Sequence, residues 1–218
     1  MTDASAPSDD GLIFLPLSRI ARRDFGETPT APGATLTEVA QWMRDYLMSA
    51  HPELGRPGDV CPFTGQAARL DVFRLAASEA GPNDLLTIRR QMLRAFATFD
   101  AIAYPRGMAN FRSVLVAFPN CASPAGIASL AAVQKSLRRL SFATARMIGV
   151  FHRDAEAPGL WNPAFRPLRS PIPLIAIRAL VENDAAFVMR HPLLAPAYLR
   201  RFPLAGGKRL IAALWNRA

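Results

Sequence analysis

Two cysteines in 218 residues, Cys61 and Cys121, are too few for a disulfide framework. The fold must therefore be held by its core and its hydrogen bonds, and both thiols are expected to be reduced. Histidine occurs only at His51, His152 and His191, with no helical metal spacing and no carboxylate to complete a facial triad, so a dedicated zinc or non-haem iron site has no support. There is no glycine fingerprint after a strand, no phosphate-binding Walker loop, no nucleophile elbow and no His-Glu-x-x-His. Those absences disfavour nucleotide cofactors and serine-hydrolase chemistry. No apolar run approaches the ~20 residues that cross a bilayer, and Met1–Asp10 lacks the basic and apolar regions of a secretory signal. No membrane span is expected, and the expected address is cytoplasmic.

What is present is a chain half apolar by composition, long enough to bury a sizeable core. Its formal charge is +9, carried by arginine; lysine occurs only at Lys135 and Lys208. Arginine bias follows from G+C-rich coding as readily as from function, whereas a basic surface attracts anionic partners. The excess is greatest after Asp184, where Arg190, Arg200, Arg201, Lys208, Arg209 and Arg217 meet no acid. No aromatic-interleaved RNA signature, zinc-finger spacing or helix-turn-helix accompanies it, which disfavours nucleic acid.

The pattern predicts a flexible arm over residues 1–30, including an irregular stretch from Gly11 to Thr30, and a single α+β domain over residues 31–218. Thr35-Leu-Thr-Glu38 has capping-box spacing before a helix over Leu36–Met48. Leu70–Ala77 alternates as a half-buried strand. Leu85, Ile88, Met92, Phe96 and Phe99 form a helical stripe, and Phe111–Phe118 reads as an interior strand. Ser123-Pro124 opens a third helix with Ile127, Leu130, Val133, Leu137 and Leu140 inward. Met147–Phe151 reads as a strand or as that helix's end. Leu174–Leu180 is a strand, and Asn183-Asp184 caps a short helix. The expected fold is a two-layer sandwich, ferredoxin-like in outline, with about four strands packed by three to five helices.

Between Met147 and Leu180 lie the candidate site residues. His152 ends an apolar segment, where a neutral imidazole can act as acid, base or iron ligand, or simply tie loop to sheet. His51 and His191 each precede a proline at a helix end, where complementing the last carbonyls explains them. Cys61, in Cys61-Pro-Phe63, is a nucleophile, a haem ligand or a buried thiol, depending on its electrostatic setting. Trp161, Asn162, Arg169 and Ser170 lie along a proline-stiffened wall. Arg178 sits within an apolar strand, so it must face solvent, pair with an acid such as Asp184, or bind an anion.

Cys-Pro-Phe63, Phe151-His152, Gly159-Leu160, Asn162-Pro163, Ser170-Pro-Ile-Pro173 and Ile177-Arg178 resemble the motifs of a bacterial domain family without an assigned function, over about Gly58–Phe202. Its members often carry histidine after the Ile-Arg pair, where this chain has Ala179. More distantly, the Cys-Pro-Phe loop and element order are similar to the YqcI/YcgG family. That likeness implies a haem-dependent oxygenase that N-hydroxylates an amino-acid-like metabolite in natural-product biosynthesis. His152 or Cys61 would then hold the haem iron, with Arg169 or Arg178 on a carboxylate of haem or substrate. The other expectation is a non-catalytic module for a small ligand or a partner, because no complete acid–base or nucleophile set is present. In either case the expected ligand bears a carboxylate, and a homodimer remains open.

Overall fold

Two nearly unbroken apolar runs and two long amphipathic segments build the centre of the molecule. The computed structural model describes residues 11–26, 30–190 and 194–215. One mixed sheet contains β1 (Leu15–Pro16), β2 (Phe73–Ala77), β3 (Ser113–Ala117), β4 (Arg146–Phe151) and β5 (Leu174–Ala179), in the order β1-β2-β3-β5-β4. Only β2 and β3 run parallel; the other neighbours are antiparallel. A parallel pair needs a crossover, and helix α4 (Leu85–Ala101) supplies it.

Residues opposite one another across the ladders share a face, which sorts the core. Val114, Val116, Ile148, Ile175 and Ile177 face α4 and the following helix α5 (Pro124–Ala143). These two helices and the sheet form the main sandwich. On the opposite face, α2 (Thr30–Trp42) crosses β2, and Trp42 meets Phe151 edge-on at 6.0 Å. The run Val114–Phe118 is buried throughout, as a central strand between two covered faces requires. The α+β expectation holds, with a fifth short strand added and, among the described residues, eight α-helices where three to five were expected.

The helix stripes agree in their middles and depart at their ends. Ile88, Met92, Phe96 and Phe99 are buried in α4, but Leu85 in its first turn is exposed. In α5, Leu130, Val133 and Leu137 are buried, whereas Leu140 protrudes. Ser123 caps α5 as expected, its hydroxyl accepting from Gly126 N at 3.2 Å with Pro124 at the first helical position.

Three expectations need correction. Gly11–Thr30 is not an irregular arm where it is described: β1 pairs with β2, α1 (Leu17–Ala21) follows, and Leu12, Phe14, Leu15, Leu17 and Ile20 are buried. Short apolar runs carry no visible period, so only the sheet edge reveals their place. Helix α2 starts five residues before Thr35, which lies inside it, so the capping-box spacing is not used. The helix widens into a π-turn at Met43–Leu47 instead of continuing regularly. A further short helix, α3 (Thr64–Arg69), follows the Cys-Pro-Phe loop. Met1–Asp10 and His191 lie outside the described residues.

At the C-terminal end, α6 (Ala185–Arg190), α7 (Ala195–Arg201) and α8 (Ala205–Trp215) pack around a second apolar cluster that includes Leu180, Val188, Leu194 and Tyr198. Tyr198 is fully buried and its hydroxyl donates to Glu182 O at 2.6 Å. Among the described residues no helix is long and apolar enough to cross a membrane.

Candidate functional site

The stretch from His152 to Ser170 folds as a pinned connector, and most of its polar groups are spent on holding it. His152 N donates to Leu168 O at 3.3 Å, and its carbonyl accepts from Ala155 N and Ser170 N. The imidazole is half-buried and has no hydrogen bond among the described residues. Asn162 donates to Glu53 O at 2.7 Å and accepts from Ala164 N at 2.9 Å. Ser170 is buried, its hydroxyl donating to Ile172 O at 2.7 Å. Arg169 and Arg166 share the exposed Glu156 carboxylate, and they hold its pKa below the usual carboxylate range. Trp161 is 66% exposed at the loop surface. His51 likewise serves structure: its Nδ1 accepts from Glu53 N at 3.2 Å and its ring meets Phe165 at 4.7 Å.

Arg178 takes the second of its three options. Its guanidinium makes a two-pronged pair with Asp184, at 2.8 and 2.6 Å, and donates to Ala179 O at 2.9 Å. Burial opposes the charge, but Asp184 outweighs it and raises the arginine's pKa. Asp184 also accepts from Val181 N, so one buried carboxylate joins the end of β5 to the C-terminal helices. Cys61 is half-buried against the main core, its amide bonded to Leu47 O, and it lies close enough to Arg178 to act on its charge. Cys121 is fully buried, and burial raises its thiol pKa, as for an inert core cysteine.

A different constellation does converge on a cavity. The antiparallel order β3-β5-β4 puts the starts of β3 and β4 at one sheet end, on either side of the end of β5. Arg146 pairs across from Ala179, and Arg112 precedes the Ser113–Arg178 pair, so these two arginines flank the same point from neighbouring strands. Both guanidinium carbons rest on the ring of Phe99, at 4.7 Å for Arg112 and 5.2 Å for Arg146. The two charges therefore lie within about 10 Å, roughly one Debye length. The ring of Tyr104 also lies 4.3 Å from the Arg112 guanidinium carbon.

Arg201 of α7 and Asn110 complete the lining, with Thr144, Ala179 and Leu180, of a pocket of about 190 Å³. Arg112 spends two of its donors on Phe99 O and Ala109 O, and Arg146 pairs with the exposed Asp100. Among the described residues no carboxylate pairs with Arg112 or Arg201, and none lines the pocket. Thr144's hydroxyl is committed to Leu140 O. The pocket thus holds a surplus of positive charge and of forked donors, and no base or nucleophile. Sequence reading missed it because the three arginines come from separate segments; an arginine at the start of each of two apolar strands was the available signal.

A domain family described as a domain of unknown function, DUF6875, matches residues 36–211. The chain belongs to that family. The match spans the sheet from β2 onward, all three pocket arginines and most of α8, so the family domain includes the pocket described above. No curated protein and no solved structure gives a significant match, and nothing found links the chain to the YqcI/YcgG family.

Proposed function

We propose that the protein is a non-catalytic binding module for a small anion bearing a carboxylate or phosphate, held by Arg112, Arg146 and Arg201. The observation that carries this reading is that three arginines, of which Arg146 alone is ion-paired among the described residues, line one small pocket. Planar guanidinium forks match carboxylate and phosphate oxygens, and charge-assisted bonds of this kind are roughly twice as strong as neutral ones. Two like charges on one phenylalanine ring repel, and an anion between them relieves that repulsion. The cavity of about 190 Å³ has room for a phosphate or a short dicarboxylate.

Calorimetric titration with orthophosphate, pyrophosphate and succinate tests the proposal. At least one should bind, and Arg201→Gln should weaken it by roughly tenfold, the equivalent of losing one charged hydrogen bond. Arg201 is exposed, so that substitution spares the fold. Absence of heat with all three anions, or affinity unaltered in both Arg201→Gln and Arg112→Gln, refutes the reading.

The haem-dependent oxygenase expectation fits the residues less well. Neither His152 nor Cys61 lines the arginine pocket or the open groove of about 1090 Å³ beside α2. A haem ligand must face a slot for the macrocycle. A Soret band after haem loading that disappears in His152→Ala or Cys61→Ala would restore that expectation.

A further inference from the structure

We infer that the α7–α8 hairpin is a docking surface for an anionic lipid bilayer. From Ala185 to the C-terminus the chain has six cations and no acid. Arg200 and Arg201 of α7 and Lys208 and Arg209 of α8 are all exposed. Among the described residues the one carboxylate paired with these four cations is Glu182, which meets Arg209 at 3.4 Å and is half-exposed, so most of this charge is left unbalanced. Within the same surface Leu204 is 82% exposed and Ile211 65% exposed. Lys208 and Ile211 are three residues apart on α8 and so share a face, and the carbonyl of Leu204, the turn residue just before the helix, accepts from Lys208 N at 3.2 Å one turn below it. Behind that face Gly206 packs on Tyr198 and Phe202, so the hairpin is anchored to the domain on its other side.

Two aliphatic side chains standing among cations mark the chemistry of the partner. A nucleic-acid backbone rewards the charge but gives exposed leucine and isoleucine nothing to bury. A bilayer interface takes both: the aliphatics enter the headgroup–acyl boundary, and the cations remain with anionic headgroups. Arg201 also lines the arginine pocket, but Lys208, Leu204 and Ile211 do not, so these three can be altered without touching it.

Co-sedimentation of the full chain with phosphatidylcholine vesicles, with and without phosphatidylglycerol, tests the inference. The protein should pellet only with the anionic vesicles, and less so as salt is raised. Lys208→Glu should weaken partitioning by about fivefold or more, since each cation near such a surface contributes about 1 kcal/mol. The double variant Leu204→Ser/Ile211→Ser should weaken it by roughly tenfold or more through lost apolar burial. Both variants change exposed positions, and circular dichroism matching the unaltered protein verifies their fold. No pelleting at low salt overturns the inference without any variant. Vesicle binding indifferent to the aliphatic pair, or tight binding to duplex DNA lost in Lys208→Glu without vesicle binding, also overturns it.

Discussion

Removing the Asp184 carboxylate is the sharpest probe of how the sheet holds the C-terminal helices. Asp184 is 1% exposed and accepts two bonds from Arg178 and one from Val181 N. Breaking a buried pair from one side typically costs 3–5 kcal/mol, because the surviving charge is left without its counterion. The Arg178 side chain is 29% exposed, so water recovers part of its solvation. Asp184→Ala should therefore cost about 3 kcal/mol, near the lower end of that range. For a chain of this size that lowers Tm by roughly 6–12 °C. Equilibrium unfolding in urea should show a reduced midpoint with an unaltered slope. The double variant Arg178→Met/Asp184→Leu should recover most of the loss, since apolar replacement of both partners is often neutral. A loss below about 1 kcal/mol for Asp184→Ala would refute the reasoning and return Arg178 to the list of free anion binders.

Three further outcomes follow from the geometry. Gly126→Ala would put a Cβ 2.5 Å from the Cys121 backbone, which cannot yield easily, so a loss of about 2 kcal/mol or more in denaturant unfolding is expected. Asn162→Ala removes the bonds to Glu53 O and Ala164 N; limited proteolysis should then cut faster between Pro158 and Pro163, at a stability cost of about 1 kcal/mol. Glu156 has its pKa depressed by Arg166 and Arg169, so its contribution is present above the unfolded value of ~4.3 and is lost as pH falls through the folded value. Acid titration followed by NMR should show the Glu156 carboxyl protonating below that reference, and Arg169→Gln should move it back up.

The sequence by itself determined the elements whose signals are local. Periodicity located α4 and α5, because a long helix must repeat its apolar face every three to four residues to be buried at all. Unbroken apolarity located β3 and β5, since strands covered on both faces have no polar side to alternate. Ser123-Pro124 announced a helix start, and the cost of a buried guanidinium singled out Asp184 as a partner for Arg178. The parts decided only by tertiary structure rest on pairing between distant segments. Leu15–Pro16 is a strand solely because the edge of β2 stands beside it. The loop from His152 to Ser170 had the composition of a binding wall, yet Ser170 turned inward to satisfy a buried backbone carbonyl and Asn162 pins the loop to Glu53 O at the surface. Arg112, Arg146 and Arg201 look unremarkable along the chain. They become one pocket only when β3 and β4 flank β5 antiparallel and α7 closes over the sheet end.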